Sequence, residues 1–353
     1  MKKQFKLLTI LLFLPIIVFG NTDDLGKYTK QKEVKKAYFV NSDAGIDIRN
    51  SYGNVFVTTW DEDKIELNVI IKVSGDNEDW VTKRLDGINI DIEALKTLVT
   101  ASTEISNSNT NNNKNNSIEI NYTLKIPKNS SVKINNKYGT IITTDLLGNA
   151  NLTCKYGKVT LGKLNGNTNT IAIDYCSKST INYIKNAKIH ADYSGLTINE
   201  CNIINLYSDY TDLTLLSGNE LKYESNFGKL TVGSLKSLEG KGDYLSIRAE
   251  KISNNLNIET QYSKLKVGEI DASANAVFID SEYTAVDLGY DPSYAFNFDV
   301  NVKYANFKYD KDFEFNSKQE SAFEKSYQGF YRKSGENKVT IRSEYANVTL
   351  HKI

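Results

Sequence analysis

The chain has 353 residues, 40% of them hydrophobic, and its 43 basic residues are matched by 43 acidic ones. Mixed signs with no basic excess exclude an electrostatic footprint for nucleic acid, and three cysteines, an odd number, supply no disulfide framework. A compact fold of this length would usually divide into domains, whereas a stacked repeat grows by adding coils.

The chain opens with Lys2, Lys3 and Lys6 and an apolar run from Leu7 to Phe19. That run is too short for a transmembrane helix, which needs about 20 residues. It is predicted to be a secretory signal peptide, residues 1–20, cut after Gly20. No cysteine follows it to carry a lipid, and no later segment reaches membrane-spanning length. The remainder carries 40 basic and 43 acidic residues, a net charge of −3. Export to the periplasm, to an outer-membrane-associated position or to the cell surface follows.

Residues 21–36 are polar and lysine-rich and are predicted to be a mobile lead-in. Residues 37–131 form an N-terminal β region: Ile46, Ile48, Val55 and Val57 alternate, and residues 65–73 are rich in β-branched side chains. Between 76 and 100 the spacing of Trp80, Val81, Leu85 and Ile88 suggests a short helix, and Ile88, Ile90 and Ile92 suggest a strand after it. The Asn/Ser-rich stretch 101–117 has little to bury and reads as a long loop. A strand resumes at Ile118 and stops at Pro127.

From Val132 one aromatic residue recurs: Tyr138, Tyr156, Tyr175, Tyr193, Tyr210, Phe227, Tyr244, Tyr262, Tyr283 and Tyr304, at gaps of 18, 19, 18, 17, 17, 17, 18, 21 and 21 residues. A fixed period of this size marks a stacked-repeat architecture. With the aromatic numbered zero, apolar residues fall at −4 and −2 (Ile171 and Ile173, Ile189 and Ala191) and at +3 and +5 (Leu196 and Ile198, Leu230 and Val232). Position +8 is often apolar too, as at Leu164, Cys201 and Leu235. Counting by twos puts −4, −2 and 0 on one face, so a turn or bulge is expected at +1 and +2, where Gly139, Gly157, Ser194 or Gly228 stands. The coil at Tyr175 carries one inserted residue. The predicted fold class is all-β: a single-chain parallel β-solenoid with coils of about 18 residues over 132–317. Some ten coils would make a rod on the order of 50 Å long. Residues 318–335 break the pattern as an excursion, and 339–350 restore it as a closing strand that caps the stack within the segment 318–353.

Stacked aromatics one coil apart form a ladder that fixes register; a tyrosine-lined surface could equally grip sugars or peptides. Before the aromatic, Asp174, Asp192 and Asp209 follow one another on three coils, with Asp243 and Glu282 further along. Calcium could bridge them, or they form a solvated stripe balanced by Lys178 and Lys188. No cofactor motif is found. The acidic clusters 61–63 and 76–79 lie in apparent turns, and His190 and His351 take outward positions, so no catalytic residue is assigned. Cys154 and Cys201 occupy core positions and Cys176 a turn, phases that do not favour a disulfide between them.

The stretch SYGNVFVTTWDEDKIELNVIIKV (51–73) and the later YTLKIPKNSSVKINNKYGTIITTDLLGNANLTCKYGKVTLGKLNG (122–166) are similar to a bacterial envelope family of adhesin-like proteins of unknown function, common in Bacteroidetes-type bacteria. The resemblance spans about residues 40–350, although Cys176, Ser194 and Thr211 stand where the family has glycine after the tyrosine. It implies a β-solenoid at the cell envelope and carries over no catalytic residue. The expected function is an exported, non-enzymatic binding or scaffolding module for a surface glycan or protein, monomeric or weakly self-associating. The alternatives are a periplasmic structural or stress-linked protein without external ligand, and a carbohydrate-active β-helix enzyme.

Overall fold

Alternation of apolar and polar residues along segments rich in β-branched side chains gives strands throughout. The computed structural model describes residues 26–106, 115–335 and 337–353. The expected signal peptide lies outside the described residues, as do residues 107–114 of the Asn/Ser-rich stretch. Among the described residues the fold is all-β, a single sheet of 26 strands with one short helix, Glu78–Asp86. The sheet is mixed rather than purely parallel as expected. Parallel pairs run through the repeat, and antiparallel pairs flank it at both ends.

In the repeat each period contributes a rung, and each rung pairs in parallel with the next. Ile189 stands beside Leu206, and Asp192 beside Asp209. Residues at −4, −2, +3, +5 and +8 point inward and form one continuous apolar core, including Ile171, Ile173, Leu196, Ile198, Leu235 and Ile252. The inserted residue at the Tyr175 rung is absorbed in a turn where Lys178 takes φ 55°. Cys154, Cys176 and Cys201 are free and buried, Cys154 and Cys201 as core residues like their counterparts on other rungs. Cys176 folds into its turn with its Sγ 3.3 Å from the Cys154 carbonyl oxygen.

The aromatic does not share the core face, contrary to the counting by twos. Each ring points outward, between 40% and 55% exposed, because the aromatic itself adopts the left-handed backbone conformation, with φ between 48° and 64°. The parity break therefore falls at position 0 rather than at +1 and +2. Each aromatic N–H donates to a carbonyl of the next rung, as Tyr193 does to Asp209 (3.0 Å) and Tyr210 to Asn226 (3.0 Å), except that Tyr304, at the end of the column, donates to Phe323 in the closing hairpin (2.7 Å). Position +1 is small for a different reason. It faces the neighbouring rung so closely that a Cβ at Gly157 would run into the Gly139 carbonyl, and one at Gly228 into the Thr211 carbonyl. Where a hydroxyl replaces glycine, it relays between rungs: Thr211 Oγ1 donates to the Ala191 carbonyl (2.7 Å) and accepts from the Ser194 N–H (3.1 Å).

The ends differ from the expectation in three ways. Residues 28–36, expected as a mobile lead-in, belong to the strand Tyr28–Phe39, which pairs antiparallel with Lys64–Gly75. The first rung precedes Val132: Gly45–Ser51 and Val55–Trp60 pair in parallel with Val132–Lys137 and Thr140–Thr143. The closing strand is not the last rung. Lys338–Glu344 lies between Ala276–Glu282 and Phe296–Lys303, parallel to both. The stack ends instead on Phe313–Glu320 and Glu324–Tyr331, which pair antiparallel with each other and, through Glu324–Tyr331, with Phe296–Lys303. Residues 318–335 thus largely belong to this closing hairpin.

Candidate binding face

The outward rings form one unbroken column. In spatial order it runs Tyr52, Tyr138, Tyr156, Tyr175, Tyr193, Tyr210, Phe227, Tyr244, Tyr262, Tyr283, Tyr345, Tyr304. Successive centroids are 4.6–5.3 Å apart and successive planes within 20° of parallel. All ten residues named from the sequence stand in it. Tyr52 and Tyr345 were missed, although the Tyr-Gly step at Tyr52 and the small Ala346 after Tyr345 carry the same signal. Because each ring covers its neighbour's face, the column shows solvent its edges and hydroxyls. Partial burial raises the pKa of Tyr193 and of Tyr283, and the adjacent tyrosines and carboxylates add to the rise.

The residue before each ring forms a second column. Lys137 lies over the Tyr138 ring at 4.8 Å, and its ammonium is held above its ordinary pKa by the hydrogen bond to the Tyr138 hydroxyl. Asp174, Asp192 and Asp209 do follow one another on adjacent rungs. Their oxygens have protein partners: Asp174 pairs with Lys155 at 3.3 Å, Asp192 accepts from the Asp209 N–H at 3.1 Å, and Asp209 accepts from Asn226 at 3.1 Å. Among the described residues no three carboxylate, thiol or imidazole side chains gather as a metal site. His190 stacks on Tyr207 at 5.0 Å, and His351 lies 3.3 Å from Asp287. Asp61 pairs with Lys128 and Asp76 accepts from the Lys27 N–H, both in turns.

A depression adjoins the columns on the strands that lead into the rings. It has a volume of about 270 Å³, and its lining includes Tyr207, Tyr223, Glu224, Gly240, Lys241 and Asn257. A wider one of about 570 Å³, sharing Glu224, Lys241 and Glu259, continues to Glu282 and Glu344 beside the rings. Gly240 lines the first and Gly242 the second, glycines at −4 and −2 where other rungs carry core side chains. The Tyr223 ring lies where a Cβ on Gly240 would stand, so the large and small residues of adjacent rungs compensate. Nothing in the period foretold this depression, whose walls are outward side chains such as Tyr207, Glu224 and Lys241.

No family model matches the chain, and no curated protein does. Among solved structures, the chain is similar to a cell-adhesion-like protein of Clostridium sporogenes (11% identity, 92% of this chain and 100% of that one, TM-score 0.18). It is also similar to adhesin-like proteins of Bacteroides fragilis (12% identity, 91% and 97%, TM-score 0.27) and Parabacteroides merdae (10% identity, 73% and 96%, TM-score 0.35).

Proposed function

We propose that the chain is an exported, non-enzymatic parallel β-solenoid that binds or scaffolds a surface glycan or protein at the cell envelope. The observation that carries this reading is the column of twelve half-exposed rings, eleven stacked steps long. At about 4.8 Å per rung it extends on the order of 50 Å. A straight, repetitive surface of hydroxyl-bearing edges suits an extended partner rather than a single small substrate. The parallel pairings between successive rungs support the solenoid. A second reading, a periplasmic structural protein without external ligand, draws on the mutual stacking of the rings, which leaves their faces no room for a guest.

Two measurements divide these readings. Protease treatment of intact cells should release fragments of a surface protein and leave a periplasmic one whole. A triple Tyr175→Phe, Tyr193→Phe, Tyr210→Phe variant keeps the stacking and removes three hydroxyls. It should fold as the parent does and bind isolated cell-envelope material less well. Equal binding by variant and parent would leave the column a purely structural ladder.

A further inference from the structure

We propose that Cys154 and Cys176 are a modification site, joined by a disulfide that forms as their two rungs close. Counting along the chain separates them, since Cys154 stands at −2 of the Tyr156 rung and Cys176 at +1 of the Tyr175 rung. The stack brings these two positions together. Position +1 of one rung reaches back to position −2 of the rung before it: Thr211 Oγ1 lies 2.7 Å from the Ala191 carbonyl, and Cys176 Sγ lies 3.3 Å from the Cys154 carbonyl. Of the steps from rung to rung, this one alone has cysteine at both positions. The two thiols also hydrogen-bond to each other. Their sulfurs are therefore in contact and have only to close to about 2.05 Å. The acidities carry the mark of that pairing: the shared hydrogen bond lowers the Cys176 pKa to about 7, against the opposing effect of burial, and raises that of Cys154.

The bond is made by exchange with an external disulfide. The thiolate of one cysteine attacks a sulfur of that reagent, displaces the other sulfur as a thiolate and leaves a mixed disulfide. The thiolate of the second cysteine then attacks the first cysteine's sulfur and expels the remaining external thiolate. Two protons and two electrons pass from the pair to the reagent, which leaves as two thiols. Cys154 and Cys176 are fully buried in the finished stack, so the reagent meets them while the rungs are closing, and the finished bond is shielded from reductants. Cys201 stays out of the exchange: it stands at +8, away from the pair, and burial raises its pKa to about 12. The position of the bond matters. The turn after Cys176 absorbs the inserted residue of the repeat, with Lys178 at φ 55°, and the bond ties this irregular rung to the one before it.

Export would supply the oxidising compartment, but the contact of the two thiols does not rest on export or on the ring column, and the test dispenses with both. The full chain is synthesised in a cell-free system, once with dithiothreitol and once with a mixture of reduced and oxidised glutathione. The soluble folded product is quenched in acid and denatured, its free thiols are alkylated, and its mass and peptides are read by mass spectrometry. The glutathione product should carry one alkyl group, on Cys201, and a linked pair of peptides holding Cys154 and Cys176. The dithiothreitol product should carry three alkyl groups. The linked product should melt about 5–10 °C above the reduced one, because the loop 154–176 is then closed in the unfolded chain as well. Cys154→Ala and Cys176→Ser should each abolish the difference in melting between the two conditions, a readout that a merely damaged core would not move. Three alkylated thiols in the folded glutathione product would overturn the proposal, as would a bond from Cys201 to either partner. A linked product that melts no higher than the reduced one would overturn it equally, since the bond would then not fit the native stack.

Discussion

A tyrosine in the left-handed region is an anomaly, since a bulky side chain there costs roughly 1–2 kcal/mol. This chain repeats it at eleven tyrosines of one column, and at Phe227 among them, each φ between 48° and 64°. The compensation is visible at Tyr193, whose ring stacks on Tyr175 at 4.9 Å and on Tyr210 at 5.0 Å. Each such pair is worth about 0.5–1.5 kcal/mol beyond burial. Tyr193→Ala should therefore destabilise by about 1–3 kcal/mol, because the strain remains and both stacks are lost. Tyr193→Gly loses the same stacks but relieves the backbone, and should be less harmful than alanine by about 1 kcal/mol. That order reverses the usual strand preference, in which glycine is the worse residue. Urea melts of the two variants decide it; glycine less stable than alanine would mean the left-handed backbone stores no strain. The same anomaly explains what the sequence hid. The period of the aromatics was legible because hydrophobic spacing reports rungs directly. Their outward direction was not, because counting by twos assumes an extended backbone at every residue, and nothing in the letters marks tyrosine as the exception.

At the scale of a turn, stability depends on side chains that stand in for backbone partners. The segment after the strand Lys264–Ile270 reverses through Asp271, whose Oδ1 accepts from the Ser273 N–H (2.9 Å) and Oγ (2.7 Å), while Oδ2 meets Lys251 at 2.6 Å. Asp291 and Ser293 repeat the same turn one rung on. The hydrogen bond from Lys251, and then those from Ser273, lower the Asp271 pKa from 3.8 to about 2. A depressed carboxylate contributes stability that is complete above its unfolded pKa and is lost as pH falls through its folded one. Asp271→Asn keeps the turn's acceptor and removes the charge. The melting temperature of the parent should exceed that of the variant by a constant margin from pH 7 to pH 5. The margin should shrink below pH 4 and vanish near pH 2. Lys251 is 39% exposed, so solvent screening limits the contribution to about 1 kcal/mol. A margin that persists at pH 2 would assign the effect to the turn rather than to the ion pair. Position-specific chemistry of this kind could be read from the two Asp-x-Ser steps, but the lysine partner came only with the fold.

For the whole molecule the decisive feature is that spatial order departs from chain order. Tyr52 stacks directly on Tyr138 although residues 61–131 intervene, and Tyr345 stands between Tyr283 and Tyr304. A period read along the chain finds neither, because it assumes that neighbours in sequence are neighbours in the stack. The consequence is a late-closing C-terminal end. Among the described residues the strand Phe296–Lys303 has Lys338–Glu344 as its only parallel partner, so its link to the rung of Ala276–Glu282 waits until residues 338–344 have been made. Long-range pairing of this kind is costly to close and is made late in folding. Deleting residues 337–353 should therefore free the whole segment 291–335 while sparing the rungs before it. Hydrogen exchange should lose its protection across Phe296–Tyr331 and keep it from Gly45 to Val267. Deleting 291–353 removes the freed segment as well, but leaves the strand Ala276–Glu282 as a bare edge, which should fold and self-associate in sedimentation experiments. The contrast is the test. If the shorter deletion leaves Phe296–Tyr331 protected, the closing hairpin stands on its own aromatic packing among Phe296, Phe313 and Tyr331, and the inserted strand is not what joins it to the stack.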